Sequence, residues 1–277
     1  MMLINQKRIV LIFCLLFTSF VGQSTANLMT VIQIQPISGG YAIIQAQPGS
    51  KVLFRERNYA VDEQGFVAIP FGREVAGLHE ITLVDRDRTE RTEAIWIDTR
   101  SYVIQRVNGV DQSRVTPPVS VTDRITAEAV KVNRARSAMS SLQFWREQQF
   151  IRPAPGPVSG VYGSQRFYNG IAGSPHWGID YAAPTGTKVI APAGGKVVLA
   201  EADLYFSGGT IVLDHGGGLT SSFLHLSRLL VKPGDIVEQG AVIGLVGATG
   251  RVTGPHLDWR MNLHGERIDA ALWLQAQ

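Results

Sequence analysis

Cysteine is nearly absent: Cys14 is the only one in 277 residues, so no intrachain disulfide can staple the fold. A surplus of one charge is absent too. Lys and Arg number 26 against 23 Asp and Glu, a net charge of +3, and no run of five like charges occurs, which excludes the electrostatic footprint of a nucleic-acid-binding protein. What the chain does have is 45% hydrophobic residues, 29 Gly and 13 Pro, a composition that rules out collagen, coiled coil and wholesale disorder. Its length suits one large domain or two modest ones, each able to bury a core without crosslinks.

The first 26 residues read as a secretory signal peptide. Lys7 and Arg8 precede an almost unbroken apolar run from Ile9 to Gly22, and Ser24-Thr25-Ala26 supplies small residues for cleavage. The alternative is an uncleaved anchor, against which the run falls short of the ~20 residues a span needs. Export to the periplasm or cell envelope follows from either reading, with membrane contact only if the segment stays attached. Cleavage removes Lys7, Arg8 and Cys14, lowering the net charge from +3 to +1 and leaving no thiol. Cys14 sits inside the apolar run with no small residues just before it, unlike a lipid-attachment cysteine. Any metal site in the mature chain must then use His and carboxylates.

Residues 27–110 carry short alternating or β-branched runs: Thr30–Ile34, Tyr41–Ile44, Lys51–Phe54, Phe66–Ile69, Glu80–Val84 and Ala94–Ile97. Turn-rich pieces such as Ser38-Gly39-Gly40 and Pro48-Gly49-Ser50 separate them at the spacing of a small β-sandwich. This domain holds one His and no cluster of catalytic residue types, so a structural or binding role is expected. Residues 111–149 read as a linker, marked by Thr116-Pro117-Pro118, and then an amphipathic helix. Ile125, Ala129, Val132, Ala135, Met139, Leu142 and Trp145 recur at steps of three and four, after Thr122 or Asp123 as N-cap. A polar face of mixed sign (Arg124, Glu128, Lys131, Arg136) favours packing on a neighbouring domain over lying on a membrane.

Composition changes after residue 150. Residues 151–277 hold 21 of the 29 glycines and five of the six histidines. Strand-like segments alternate there with glycine turns and leave no room for long helices, so residues 150–277 are expected to form a second domain on an antiparallel β-sheet.

Three local patterns in this domain carry candidate chemistry. In His176-Trp177-Gly178-Ile179-Asp180 a loop runs into a strand, and a His and an Asp so placed can approach one metal from different sides. Imidazole plus carboxylate suits Zn²⁺. In Phe223-Leu224-His225-Leu226-Ser227, strand alternation puts Phe223 and His225 on one face and Leu224 and Leu226 on the other. In His256-Leu257-Asp258-Trp259, residues two apart share a face, so His256 and Asp258 project together. Taken singly, each pattern is as well explained by a satisfied core residue or by chance spacing.

Taken in order they are more specific. Gly160-Val161-Tyr162-Gly163, the His176–Asp180 motif, Pro184-Thr185-Gly186-Thr187, Asp214-His215-Gly216-Gly217-Gly218, the His225 strand, Lys232-Pro233-Gly234-Asp235, Gly240, Gly247-Ala248-Thr249-Gly250 and Thr253-Gly254-Pro255-His256 follow one another. This succession closely resembles the M23 family of zinc metallopeptidases, the LytM and lysostaphin type peptidoglycan endopeptidases. The resemblance covers nearly all of residues 150–270 and none of the sandwich before it. The expected fold is therefore mainly β: a small N-terminal β-sandwich-like domain, a connecting helix and a C-terminal antiparallel β-sheet domain of the LytM/M23 type.

The resemblance implies His176 and Asp180 as zinc ligands and His225 with His256 as the catalytic pair. The third ligand position, a second His in the family, is occupied here by Asp258. Asp is a competent zinc ligand at ~2.0–2.2 Å, but a His-Asp-Asp set is net neutral around Zn²⁺ and leaves the metal a weaker Lewis acid. Arg260 stands where the family often carries an acidic residue and is placed to pair with Asp258 and compete with the metal. His264 is too far along the chain to substitute as a ligand, and Asn169 is a further candidate for lining the cleft.

What the resemblance implies is an exported zinc endopeptidase that hydrolyses peptide bonds in peptidoglycan crosslinks or stem peptides. With no His-Glu-x-x-His helix in the chain, the proton carriers would be His225 and His256. Asp258 keeps a second reading open. That reading is a non-catalytic or weakly catalytic relative that grips peptidoglycan or regulates a partner cell-wall hydrolase or envelope protein.

Overall fold

The structure, a computed structural model, describes residues 29–108 and 116–274; the expected signal peptide and the first part of the expected linker lie outside the described residues. The N-terminal module is two small antiparallel sheets. One orders strands Thr30–Gln35, Tyr41–Gln45 and Phe66–Pro70; the other orders Arg57–Ala60, Lys51–Phe54, Gly77–Val84 and Glu90–Ile97. Alternation decides which side chains meet between them. Val52, Phe54, Ile81, Leu83 and Ile97 from the larger sheet close on Ala42, Ile44, Val67 and Ile69 from the smaller one. Arg57–Ala60, a strand of polar and small residues, is an element that the hydrophobic pattern did not reveal.

The C-terminal module is built on an eight-stranded antiparallel sheet. Its order is Ile236–Val237, Gly195–Leu204, Gly208–Gly216, Leu219–Leu226, His256–Leu263, Gly178–Ala182 and Val158–Gly160, with Glu266–Ile268 paired to His256–Leu263. Gly208–Gly216 and Leu219–Leu226 are buried along their whole length because both faces are covered. On one side lies a three-stranded sheet of Lys188–Ile190, Val242–Leu245 and Arg228–Leu229. Its Val189 and Ile243 pack in one core with Ile211 and Leu213. On the other side Val132 and Ala135 of the helix Thr122–Arg136 pack with Leu199, Leu204 and Val212. Among the described residues no helix is long and apolar enough to cross a membrane.

That helix is shorter than its periodicity predicts. It ends at Arg136, and its N-cap is Val121, with no side-chain cap bond from Thr122 or Asp123. Met139 is exposed, and Trp145 sits on a separate single turn, Phe144–Glu147, where it is 2% exposed in the main core. The chain leaves the helix at Ser137 to lie on the sheet, where the Gly217 N–H donates to the Ser140 carbonyl (3.3 Å). Burying the indole of Trp145 outweighs the further turns that local propensity would add.

The two modules are not independent. Tyr41, Ile43 and Ala68 belong to the C-terminal core, and the Tyr41 ring stacks on Trp273 at 4.1 Å. Strand Ile104–Val107 pairs in parallel with Gln165–Tyr168, whose hairpin partner is Ile171–Ala172. The segment between the modules is thereby tied to the edge of the C-terminal cleft.

Candidate metal centre

Register creates the site. Strands Gly178–Ala182 and His256–Leu263 run antiparallel with Asp180 opposite Asp258, Ala182 opposite His256 and Gly178 opposite Arg260. Asp180 is also opposite Gly160 on the other flank. Both carboxylates lean over glycines that have no room for a side chain: a Cβ on Gly160 would lie 2.2 Å from Asp180 Oδ2, and one on Gly178 would lie 2.4 Å from Asp258 Oδ1. Glycine within a strand often marks such a close approach.

His176, on the loop entering the first strand, completes the cluster. Its Nε2 lies 2.9 Å from Asp180 Oδ1 and 3.5 Å from Asp258 Oδ2, and ligand atoms of the three residues all fall within 4.8 Å of one another. All three residues are buried, at 4%, 4% and 2% exposure. Imidazole Nδ1 of His176 faces the Val161 carbonyl at 3.1 Å. A carbonyl only accepts, so Nδ1 carries a proton and Nε2 is the ring nitrogen turned toward the carboxylates. His176 Nε2 and Asp180 Oδ1 are buried with no hydrogen-bond partner. Two buried ligand atoms without hydrogen-bond partners beside a second carboxylate are what a cation with N and O ligands would satisfy, and the set suits Zn²⁺.

Without a cation the cluster settles its charge internally. Burial opposes ionisation of His176, but the Asp258 and Asp180 carboxylates overcome it and hold the imidazole up at about 9. Burial likewise pushes Asp258 up, yet the Arg260 guanidinium and His176 hold it well below the usual carboxylate range. Arg260 is the pairing partner that strand alternation anticipates: Nη2 reaches Asp258 Oδ2 at 2.5 Å and Nε reaches both oxygens at 3.0 Å. Sequence reasoning missed Arg166. Its Nη2 reaches Asp180 Oδ2 at 3.3 Å, while its Nε donates to Gln105 at 3.0 Å. No local pattern signals this, because Arg166 and Asp180 lie on different sheets, and the Gln105 contact crosses a parallel pairing of strands some 60 residues apart.

His225 and His256 line the same cleft, of about 870 Å³, with ring centroids 4.9 Å apart. His256 Nε2 is 4.0 Å from Asp180 Oδ1. Both rings are set like His176, with Nδ1 on a backbone carbonyl, Thr249 for His225 (2.8 Å) and Gly254 for His256 (2.9 Å). Each therefore turns Nε2 and its lone pair away from the backbone. Burial pushes His225 down to about 4, keeping it neutral at pH 7.

The simple alternation expected around His225 does not hold. His225 has φ 66° and the register with the neighbouring strand shifts between Gly209 and Ile211, so Leu224 and His225 both border the cleft while Phe223 and Leu226 both enter the core. A bulge re-aims one side chain in this way. Asn169 occupies the turn of the hairpin, at φ 50°, and is outside the cleft lining among the described residues. His264 lies apart from the cluster, with Nε2 on the Ala68 carbonyl at 3.0 Å and its ring against Tyr59.

Residues 174–270, which contain every one of these strands' histidines and both acids, match peptidase family M23. By this match residues 174–270 are an M23 peptidase segment. The M23 segment is 43% identical over 97 residues to the peptidoglycan DD-endopeptidase ShyA of Vibrio cholerae, covering 35% of this chain and 22% of that one. It is 40% identical over 94 residues to the DD-carboxypeptidase/endopeptidase Mpg of Neisseria meningitidis, covering 34% of this chain and 21% of that one. The chain thus spans about a fifth of the length of these curated relatives. A solved structure from Pseudomonas aeruginosa, described as an M23 peptidase, extends the likeness beyond the M23 segment. It superposes with a TM-score of 0.68 at 29% identity, covering 88% of this chain and 96% of that one. The likeness thus takes in most of the chain outside the M23 segment.

Proposed function

We propose that this chain is an exported zinc endopeptidase that hydrolyses peptide bonds in peptidoglycan, in crosslinks or stem peptides, with residues 150–277 as the peptidase domain. The single observation that carries the reading is the convergence on one cleft of three buried ligand residues, His176, Asp180 and Asp258, with two further imidazoles, His225 and His256. Substrate class comes from the names of the Vibrio cholerae relatives, which are called peptidoglycan DD-endopeptidases. Zinc held by His176, Asp180 and Asp258 would supply Lewis acidity toward the scissile carbonyl and toward a nucleophilic water.

The remaining work falls to the chain's own side chains. Neutral His225, locked with Nδ1–H on Thr249, offers Nε2 as the acceptor of a proton from water. Charge that develops on its ring is favoured by the Asp258 carboxylate, which acts against the burial that holds the ring neutral. His256, 4.9 Å away and locked on Gly254, offers a second Nε2 that can carry a proton toward the leaving amine. Arg166 keeps Asp180 turned with Oδ1 toward His176.

Purified mature protein with zinc, incubated with sacculi, should release muropeptides that mass spectrometry identifies. His225→Ala should abolish release, by roughly 10²-fold or more for loss of a proton carrier, while sparing sedimentation with sacculi. Binding without release by the wild type would instead assign the cleft to gripping the wall.

A further inference from the structure

Each of the two acids carries an arginine, but the arginines engage different oxygens. On Asp180, Arg166 takes Oδ2 and leaves Oδ1, the atom 2.9 Å from His176 Nε2, without a hydrogen bond. On Asp258, Arg260 takes Oδ2, which is the very oxygen that faces His176 Nε2 at 3.5 Å, and Nε bridges to Oδ1 as well. Arg166 thus presents a lone pair to the centre, whereas Arg260 occupies one. The second arrangement is built in locally. Arg260 follows Asp258 by two on one strand and so shares its face, and it lies opposite Gly178, where a Cβ would come within 2.7 Å of Arg260 Cγ.

We infer that Arg260 is an internal counter-cation that holds Asp258 in the metal-free protein and competes with the metal for it. Metal affinity is then set by the exchange of a guanidinium for the cation. This deepens the proposed function and rests on His176, Asp180 and Asp258 being the metal centre. Two physical points support it. A bidentate guanidinium–carboxylate pair is among the stronger charge-assisted contacts and must be loosened before Asp258 Oδ2 can turn to a metal. A divalent cation beside a fixed positive charge is also disfavoured in a buried site, where screening is weak. The same pair answers one of the two facing carboxylates in the metal-free state, so the chain stays folded when the centre is empty. The result is a centre that fills only where zinc is plentiful and empties without unfolding.

The experiment is equilibrium zinc binding to the mature chain, by competition with a chromophoric chelator, together with melting of the chelated form. Wild type is compared with Arg260→Met, Arg260→Lys and Arg166→Met. Arg260→Met should bind zinc at least tenfold more tightly than wild type and melt lower when chelated. Arg166→Met should bind more weakly, and Arg260→Lys should fall between wild type and Arg260→Met. A folded Arg260→Met whose affinity is equal to or below that of a zinc-binding wild type overturns the inference and leaves the metal centre standing. If Arg260→Met does not fold, Arg260→Lys decides, and affinity no tighter than wild type overturns it. Zinc binding by none of the variants overturns both the inference and the metal centre, and the muropeptide assay reports separately on the peptidase.

Discussion

Asp180 and Asp258 are direct register partners on adjacent antiparallel strands, two like charges placed face to face in a buried sheet. Such a pair is destabilising unless cations answer it. In this chain His176, Arg166 and Arg260 do so from within. Around that pair the site's behaviour toward metal, pH and substitution can be worked out.

Metal removal should cost stability. A cation bound only by the folded state adds RT ln(1 + [L]/Kd), about 4 kcal/mol at a thousandfold excess over Kd. For a chain of this size chelation should lower the melting temperature by roughly 5–15 °C, with zinc restoring it. Differential scanning fluorimetry of wild type and Asp180→Asn checks this, the variant showing little response to zinc.

Position 258 should tolerate another ligand but not the loss of one. Asp258→His is expected to keep zinc, because the strand register still aims the side chain at His176. Asp258→Ala should weaken zinc binding by more than about 100-fold, since it deletes a ligand and also leaves Arg260 buried without its carboxylate. Chelator competition, read with elemental analysis, separates the two.

Stability should also depend on pH in two opposite directions. His215, fully buried between the Gly194 carbonyl (2.7 Å) and Ser221 Oγ (2.8 Å), is pushed down to about 4 by burial, and His225 likewise to about 4. As pH falls from about 6.5 to 4 the unfolded chain takes up these protons first, so stability drops by up to ~1.4 kcal/mol per pH unit for each group. His176 is raised to about 9 in the metal-free protein, so its contribution is complete below about 6.5 and is lost as pH rises toward 9. Urea unfolding of chelated protein should therefore show maximal stability near pH 6.5. Zinc should remove the alkaline limb, because a ligating imidazole is already neutral.

The N-terminal module should unfold together with the C-terminal module. Tyr41 is fully buried, stacks on Trp273 and sits in the C-terminal core. Tyr41→Ala should cost about 3–5 kcal/mol, and calorimetry should show one transition for wild type and variant alike.

Much of the fold was readable because a strand's period is local. The runs Tyr41–Gln45, Lys51–Phe54 and His256–Leu263 announce themselves by which residues alternate, and His256, Asp258 and Arg260 fall on one face by spacing alone. The departures have equally definite causes. Trp145 left the helix because a distant core took it, and Leu224 turned to the cleft because His225 adopts a left-handed backbone that ends the alternation. Arg166 was invisible because it reaches Asp180 from a separate small sheet, and no strand period relates the two positions.

The sequence by itself determined the residue types, the lack of any cysteine after Cys14, the mainly β architecture and the succession of glycine and histidine motifs that marks an M23 domain. Only the tertiary structure decided that Asp180 faces Asp258, that the carbonyls of Val161, Thr249 and Gly254 fix three imidazoles through Nδ1, and that one arginine frees a carboxylate oxygen while the other occupies it. Composition and periodicity follow from each residue and its near neighbours. Register, tautomer and the choice between two oxygens of one carboxylate depend on contacts between strands far apart in the chain, and these exist only once the sheet has closed.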